Sequence, residues 1–67
     1  MTIKLMLEAV REQKGVTRKQ LARAMGVSRT AIYMWETGKN AITLGRIAEA
    51  AEALGCLPSE LVDFNGR

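Results

Sequence analysis

The chain has 67 residues, 48% of them hydrophobic and 25% charged, with a formal net charge of +3 and no histidine. A chain this short builds one domain and one small core, since it buries only about 60% of the surface that it exposes unfolded, and it excludes a large substrate pocket or a separate cofactor domain. Cys56 is the single cysteine, which excludes an intramolecular disulfide, and no apolar run nears the ~20 residues of a membrane span, so a soluble cytoplasmic chain is expected.

Lys4, Glu8, Arg11 and Glu12 interrupt any apolar stretch that a signal peptide would need. The first helix is instead expected over residues 3–14, where Ile3, Met6, Leu7 and Val10 fall on one stripe and Gly15 follows. A second is expected over residues 18–25 after Thr17, a good N-cap, with Leu21, Ala22 and Met25 on one face and Gly26 as its stop. A third covers residues 29–37, from the N-cap Ser28 to Gly38. Ile32 and Trp35 share one of its faces, while Arg29, Thr30, Tyr33 and Met34 share another. The fourth begins near Thr43, with Leu44, Ile47, Ala51 and Leu54 as its seam, and ends at Gly55. A short fifth helix is expected at residues 58–62, where Pro58 suits the first helical position, and residues 63–67 read as a loose tail. No alternating strand pattern is present, so the predicted fold is all-α, a single domain over residues 1–67.

Charge is unevenly spread. Residues 14–46 hold seven cations against Glu36 alone, a net +6, whereas residues 47–67 hold Arg67 against four acids, a net −3. The first stretch suits a polyanion. It contains a compact pattern over residues 18–35. Leu21, Met25, Val27, Ile32 and Trp35 supply a shared apolar face, Ala22 is small enough for two helices to approach, and Gly26 tolerates positive φ at the turn. Two helices crossing steeply over a three- or four-residue turn, a helix-turn-helix over about residues 18–37, satisfy all seven positions.

The segment TRKQLARAMGVSRTAIYMWETGK resembles the helix-turn-helix of the phage Cro/repressor, or xenobiotic-response-element, family. Matching pieces are the capped Thr-x-x-x-Leu-Ala start at Thr17, Gly-Val-Ser at 26–28, Trp-Glu-x-Gly-Lys at 35–39 and Ala-Leu-Gly-Cys-Leu-Pro-Ser-Glu-Leu at 53–61. The resemblance runs from about Leu7 to Leu61 and implies a five-helix, lambda-repressor-like DNA-binding domain. It further implies that Arg11 pairs with Glu36 as a structural ion pair locking the first helix to the third. Arg18 stands where many members carry a glutamine that fixes the helix on a phosphate, and Tyr33 and Met34 stand where many carry polar residues.

In such a motif the start of the second helix faces base edges in the major groove. Arg29, Thr30, Tyr33 and Met34 are then the expected base-contacting residues. Arg29 suits guanine, Thr30 a base edge or thymine methyl, and Met34 apolar contact alone. Arg18, Lys19, Ser28, Lys39, Asn40 and Arg46 are the expected phosphate contacts, while Arg23 reads equally well as solvated. Leu57, Leu61 and Phe64 cluster near the end, so residues 56–67 are expected to form a homodimer interface.

An enzyme is disfavoured. Histidine is absent, and Cys56 follows a helix end, whose dipole raises a thiol pKa. No metal, cofactor or small-molecule ligand is implied, nor a membrane partner. The expected function is a dimeric transcriptional repressor that binds double-stranded DNA at an inverted repeat. The rival is an antitoxin-type module that also binds a partner toxin, and a restriction-system controller protein would be equally short.

Overall fold

The computed structural model describes residues 4–63. Among them lie, in chain order, β1 (Lys4–Leu5), α1 (Leu7–Gln13), α2 (Arg18–Met25), α3 (Arg29–Glu36), α4 (Leu44–Leu54), a 3-10 turn (Pro58–Leu61) and β2 (Val62–Asp63). The expected five-helix, all-α architecture is corrected at both ends. The fifth helix is a single 3-10 turn, pinned by Leu57 N–H donating to Glu60 Oε2 at 2.6 Å, after which Val62 turns extended at φ −130° and ψ 144°. So short a segment cannot propagate an α-helix, because nucleation outweighs the few bonds gained. The first helix begins at Leu7 because Lys4 and Leu5 pair antiparallel with Asp63 and Val62, and Met6 N–H donates to the Leu61 carbonyl at 2.7 Å. Ile3 and Phe64 lie outside the described residues, as does the tail expected over residues 63–67 except for Asp63, which is paired with Lys4 in the β1–β2 ladder.

Caps fix the two central helices. Thr17 Oγ1 accepts from Gln20 N–H at 3.1 Å while Gln20 Oε1 accepts from Thr17 N–H at 2.9 Å, a reciprocal capping box. Ser28 Oγ accepts from Ala31 N–H at 3.0 Å, and Thr43 Oγ1 from Arg46 N–H at 3.2 Å. Between α2 and α3, Gly26 sits at φ +70°, so that Val27 N–H reaches the Ala22 carbonyl at 3.0 Å and Gly26 N–H the Arg23 carbonyl at 3.3 Å. These two bonds close the last turn of α2 and aim the chain into α3. A Cβ at Gly26 would touch nothing, so only the backbone dihedral demands glycine there.

Leu7, Leu21, Ile32 and Leu61 are the largest fully buried side chains, and Ala22, Ile47, Ala50, Ala51 and Leu54 complete the core. Each large aliphatic contributes about 1.5–3 kcal/mol through burial. Met25, Val27 and Trp35 are half-buried and pack against this cluster. The seam of α4 is Ile47, Ala50, Ala51 and Leu54, and Leu44, expected within it, is 84% exposed. Leu61 lies at 0% exposure, closing the core from the chain's end, and so cannot serve on a dimer surface as expected.

One cation shares this interior. Arg11 is 6% exposed; its Nε donates to Glu36 Oε2 at 2.8 Å, Nη2 to Glu36 Oε1 at 3.3 Å and Nη1 to the Val16 carbonyl at 2.8 Å. The Glu36 side chain is 0% exposed. One guanidinium thereby joins α1, the α1–α2 turn and the end of α3.

Arg11→Ala should lower stability by about 3–5 kcal/mol, toward the smaller figure because Arg18 still holds a Glu36 oxygen. Arg46→Ala should cost about 0–1 kcal/mol, because its pair with Glu49 is exposed on both sides, at 42% and 53%. Thermal melts compare the two, and equal midpoints would show that Glu36 does not depend on Arg11.

Candidate nucleic-acid interface

The first turns of α2 and α3 carry N–H groups that no helical carbonyl can accept, and a helix N-terminus is electropositive. Where these two ends meet, an open cleft of about 650 Å³ is lined by Arg11, Glu12, Thr17, Arg18, Lys19, Arg29, Thr30 and Tyr33. Four of these residues are cations and one, Glu12, is an acid.

Three of the four residues expected to contact bases are brought together here. Arg29 and Thr30 are exposed and Tyr33 is 43% exposed. Met34 is half-buried and stands apart from the cleft; its carbonyl accepts from Lys39 N–H at 2.9 Å and Asn40 N–H at 3.2 Å, anchoring the turn after α3. Of the residues expected at phosphates, Arg18 and Lys19 line the cleft, and Ser28 is exposed with its hydroxyl engaged in capping α3. Lys39 and Asn40 are exposed beyond α3, outside the cleft, and Arg46 at the start of α4 donates through Nη1 to Glu49 Oε1 at 2.7 Å.

Arg18 has partners that sequence reasoning missed. Its Nε donates to Glu36 Oε1 at 2.8 Å and its Nη2 to Glu8 Oε2 at 2.9 Å, while its guanidinium carbon lies 5.4 Å from the centroid of the Tyr33 ring. The hydrogen bond that Arg18 donates to Glu36 raises the Arg18 pKa above its ordinary value against the opposing effect of desolvation, and the charges of Glu36 and Glu8 add to the rise. Neither carboxylate is a helical neighbour of Arg18, so no periodic signal marks them. The Thr17–Gln20 capping box, by contrast, follows a readable Thr-x-x-Gln spacing.

A second concavity was likewise unexpected. Leu5, Ala41, Ile42, Leu44, Ile47, Pro58, Ser59 and Val62 line an apolar groove of about 680 Å³, and Leu57, directly before Pro58, is 66% exposed. Cys56 is half-buried; burial is the largest influence pushing its thiol pKa up, Glu60 adds to it and Lys14 opposes it. Among the described residues no helix is long and apolar enough to cross a membrane, and no three His, Cys, Asp or Glu side chains gather to hold a metal.

The helix-turn-helix family HTH_3 matches residues 7–61. Among solved structures, a candidate DNA-binding protein from Bacteroides fragilis is similar at a TM-score of 0.86 and 27% identity, over 92% of this chain and 100% of that one. The clp gene regulator ClgR from C. glutamicum is similar at a TM-score of 0.79 and 31% identity, over 82% of this chain and 71% of that one. A hypothetical transcription factor, NHTF, from Neisseria is similar at a TM-score of 0.75 and 33% identity, over 82% of this chain and 63% of that one. No curated relative matches the chain.

The cap of α3 sets how its first turn is presented. Ser28→Ala should cost about 1 kcal/mol in chemical denaturation, and Ser28→Gly only a few tenths. Equal losses for the two variants would show that the hydroxyl does not cap the helix in solution.

Proposed function

The chain belongs to the helix-turn-helix family HTH_3, whose members are DNA-binding transcription regulators, and from that premise we propose that it is a cytoplasmic repressor reading an inverted-repeat operator through the major groove as a homodimer. The observation that carries this reading is the cleft at the converging starts of α2 and α3, with Lys19, Arg29, Thr30 and Tyr33 exposed around it. A helix about 10–12 Å across fits a major groove about 12 Å wide. Arg29 opens α3 and donates two hydrogen bonds to a guanine. Thr30 bonds a base edge or packs on a thymine methyl. Tyr33, one turn further, meets a base or sugar with its ring, and half-buried Met34 adds apolar contact. Lys19, Ser28, Lys39, Asn40 and Arg46 hold the flanking phosphates. The net +6 over residues 14–46 supports the same partner.

Dimerisation is supported by the apolar groove between the α3–α4 loop and the 3-10 turn. Leu57, exposed at 66%, stays a candidate contact, Leu44 at 84% takes the place of buried Leu61, and Phe64 lies outside the described residues. Burying such a side chain yields about 1.5–3 kcal/mol, so a twofold contact that repeats each leucine gains substantially from few residues. Twofold symmetry sets two α3 helices about 34–36 Å apart, in successive major grooves.

Duplex affinity should fall with salt at a log–log slope of about −0.9 per phosphate contact. In selection from random duplexes, Arg29→Ala should relax one position per half-site, at about 1–3 kcal/mol against the best sequence. Lys39→Ala should instead weaken all sequences alike and lower the salt slope by about 1. A flat salt response, or an Arg29→Ala variant with the parent's preference, overturns the reading.

Light scattering over a concentration series should find dimers for the parent chain and monomers for Leu44→Glu and Leu57→Glu. Dimers that survive both substitutions place the interface elsewhere.

A further inference from the structure

We propose that Arg18 is a specificity-determining positioning residue: held by Glu36 and Glu8, its guanidinium fixes the Tyr33 ring on α3 and thereby selects the base that the ring meets. This rests on the reading of α3 as the helix that enters the major groove.

The anchor is rigid. Glu36 has a fully buried side chain and is also held by Arg11 through two hydrogen bonds, so the oxygen that Arg18 uses cannot swing. Arg18 gives Nε to that oxygen at 2.8 Å and Nη2 to Glu8 at 2.9 Å, two contacts through two nitrogens of one planar group. Together they set the plane as well as the position of the guanidinium. The ring that meets it, at 5.4 Å, lies within the distance at which a cation is drawn to an aromatic face.

The ring needs such a partner. Tyr33 is 43% exposed, and a helical tyrosine has two open χ1 wells, at 180° and −60°. A guanidinium held on one side favours one of them. Tyr33 stands four residues after Arg29 and three after Thr30, so a change in its rotamer alters the same helix face that those two residues present.

A phosphate anchor is the competing role for Arg18. Two carboxylates already offset its charge and take N–H groups on two of its nitrogens. Lys19 beside it is exposed and, among the described residues, is in no ion pair, which makes Lys19 the better phosphate contact.

The test combines selection from random duplexes, salt titration, thermal melts and NMR of the free protein. In the free protein, the Arg18 Nε–H resonance should carry a ring-current shift that Tyr33→Leu abolishes. In selection, Tyr33→Leu should lose preference at one position per half-site. Arg18→Gln should lose it at that same position and at no other, and the double variant should lose nothing more. Arg18→Lys should keep the melting temperature but lose the preference, because an ammonium group has no plane to fix.

An Arg18→Gln variant that weakens every sequence alike, with a shallower salt slope, makes Arg18 a phosphate anchor and overturns the proposal. A lowered melting temperature with unchanged preference makes its role structural and overturns it too. If Arg29→Ala shifts preference while Tyr33→Leu does not, α3 reads DNA without Tyr33, and the proposal falls while the wider reading stands. A parent chain without any sequence preference brings down both.

Discussion

A carboxylate with no solvent contact has to be neutralised by the protein around it, and Glu36 places that demand on three helices at once. Stripping water from such an ion costs several kcal/mol, which only close charges in good geometry offset. Arg11 arrives from α1 and Arg18 from the first position of α2, each with Nε 2.8 Å from a Glu36 oxygen. Replacing buried ionic groups by matched apolar ones is often neutral or stabilising, so the network's value lies in orientation more than in stability. Apolar contacts hold helices together at many angles and sliding positions, whereas a guanidinium fork accepts few. The end of α3 is therefore registered against α1 and α2 by directional bonds.

The start of α3 is registered by different means. Gly26 closes α2 in the left-handed region and Ser28 opens α3 two residues later, so the turn between them has little freedom. With both ends of α3 determined, eight residues present Arg29, Thr30 and Tyr33 at a set angle to α2. Recognition in a groove depends on such angles, because a hydrogen bond to a base edge weakens steeply once its donor is misaligned. The ion network and the turn thus govern what the exposed residues can do without touching a partner themselves.

Local chemistry made much of this readable from sequence. Caps at Thr17 and Ser28, glycines at helix ends and apolar spacing place α2 at residues 18–25, the span observed, and α4 between about Thr43 and Gly55, where it covers Leu44–Leu54. What the sequence hid has a common cause, which is distance along the chain. The β1–β2 pair joins Lys4 to Asp63, and two residues per strand are too few to show alternation. Leu44 fits the spacing of the α4 seam yet faces solvent, because it occupies the first turn, where the chain has not yet entered the core. Leu61 looked available on a small hydrophobic cluster but is needed to close the interior. Arg18 was visible as a cation at a helix start; its partners Glu36 and Glu8 emerge only once α1 and α3 are packed beside it. Positions of exposed residues such as Arg29 and Lys39 were legible, whereas their roles toward DNA belong to the proposal.

The short ribbon has a topological consequence. Opposed residues in an antiparallel pair have Cα atoms about 4.5–5.5 Å apart, so Lys4 and Asp63, the two ends of the described residues, stand side by side. A bridge of a few glycines and serines from Asp63 to Lys4 would join these two points, and new termini could open in the exposed segment that follows α3, at Lys39 and Asn40, without cutting a helix. For the same reason the whole unit can be spliced into a surface loop of an unrelated host, where it would hang from two neighbouring attachment points like a bead on a closed loop of thread.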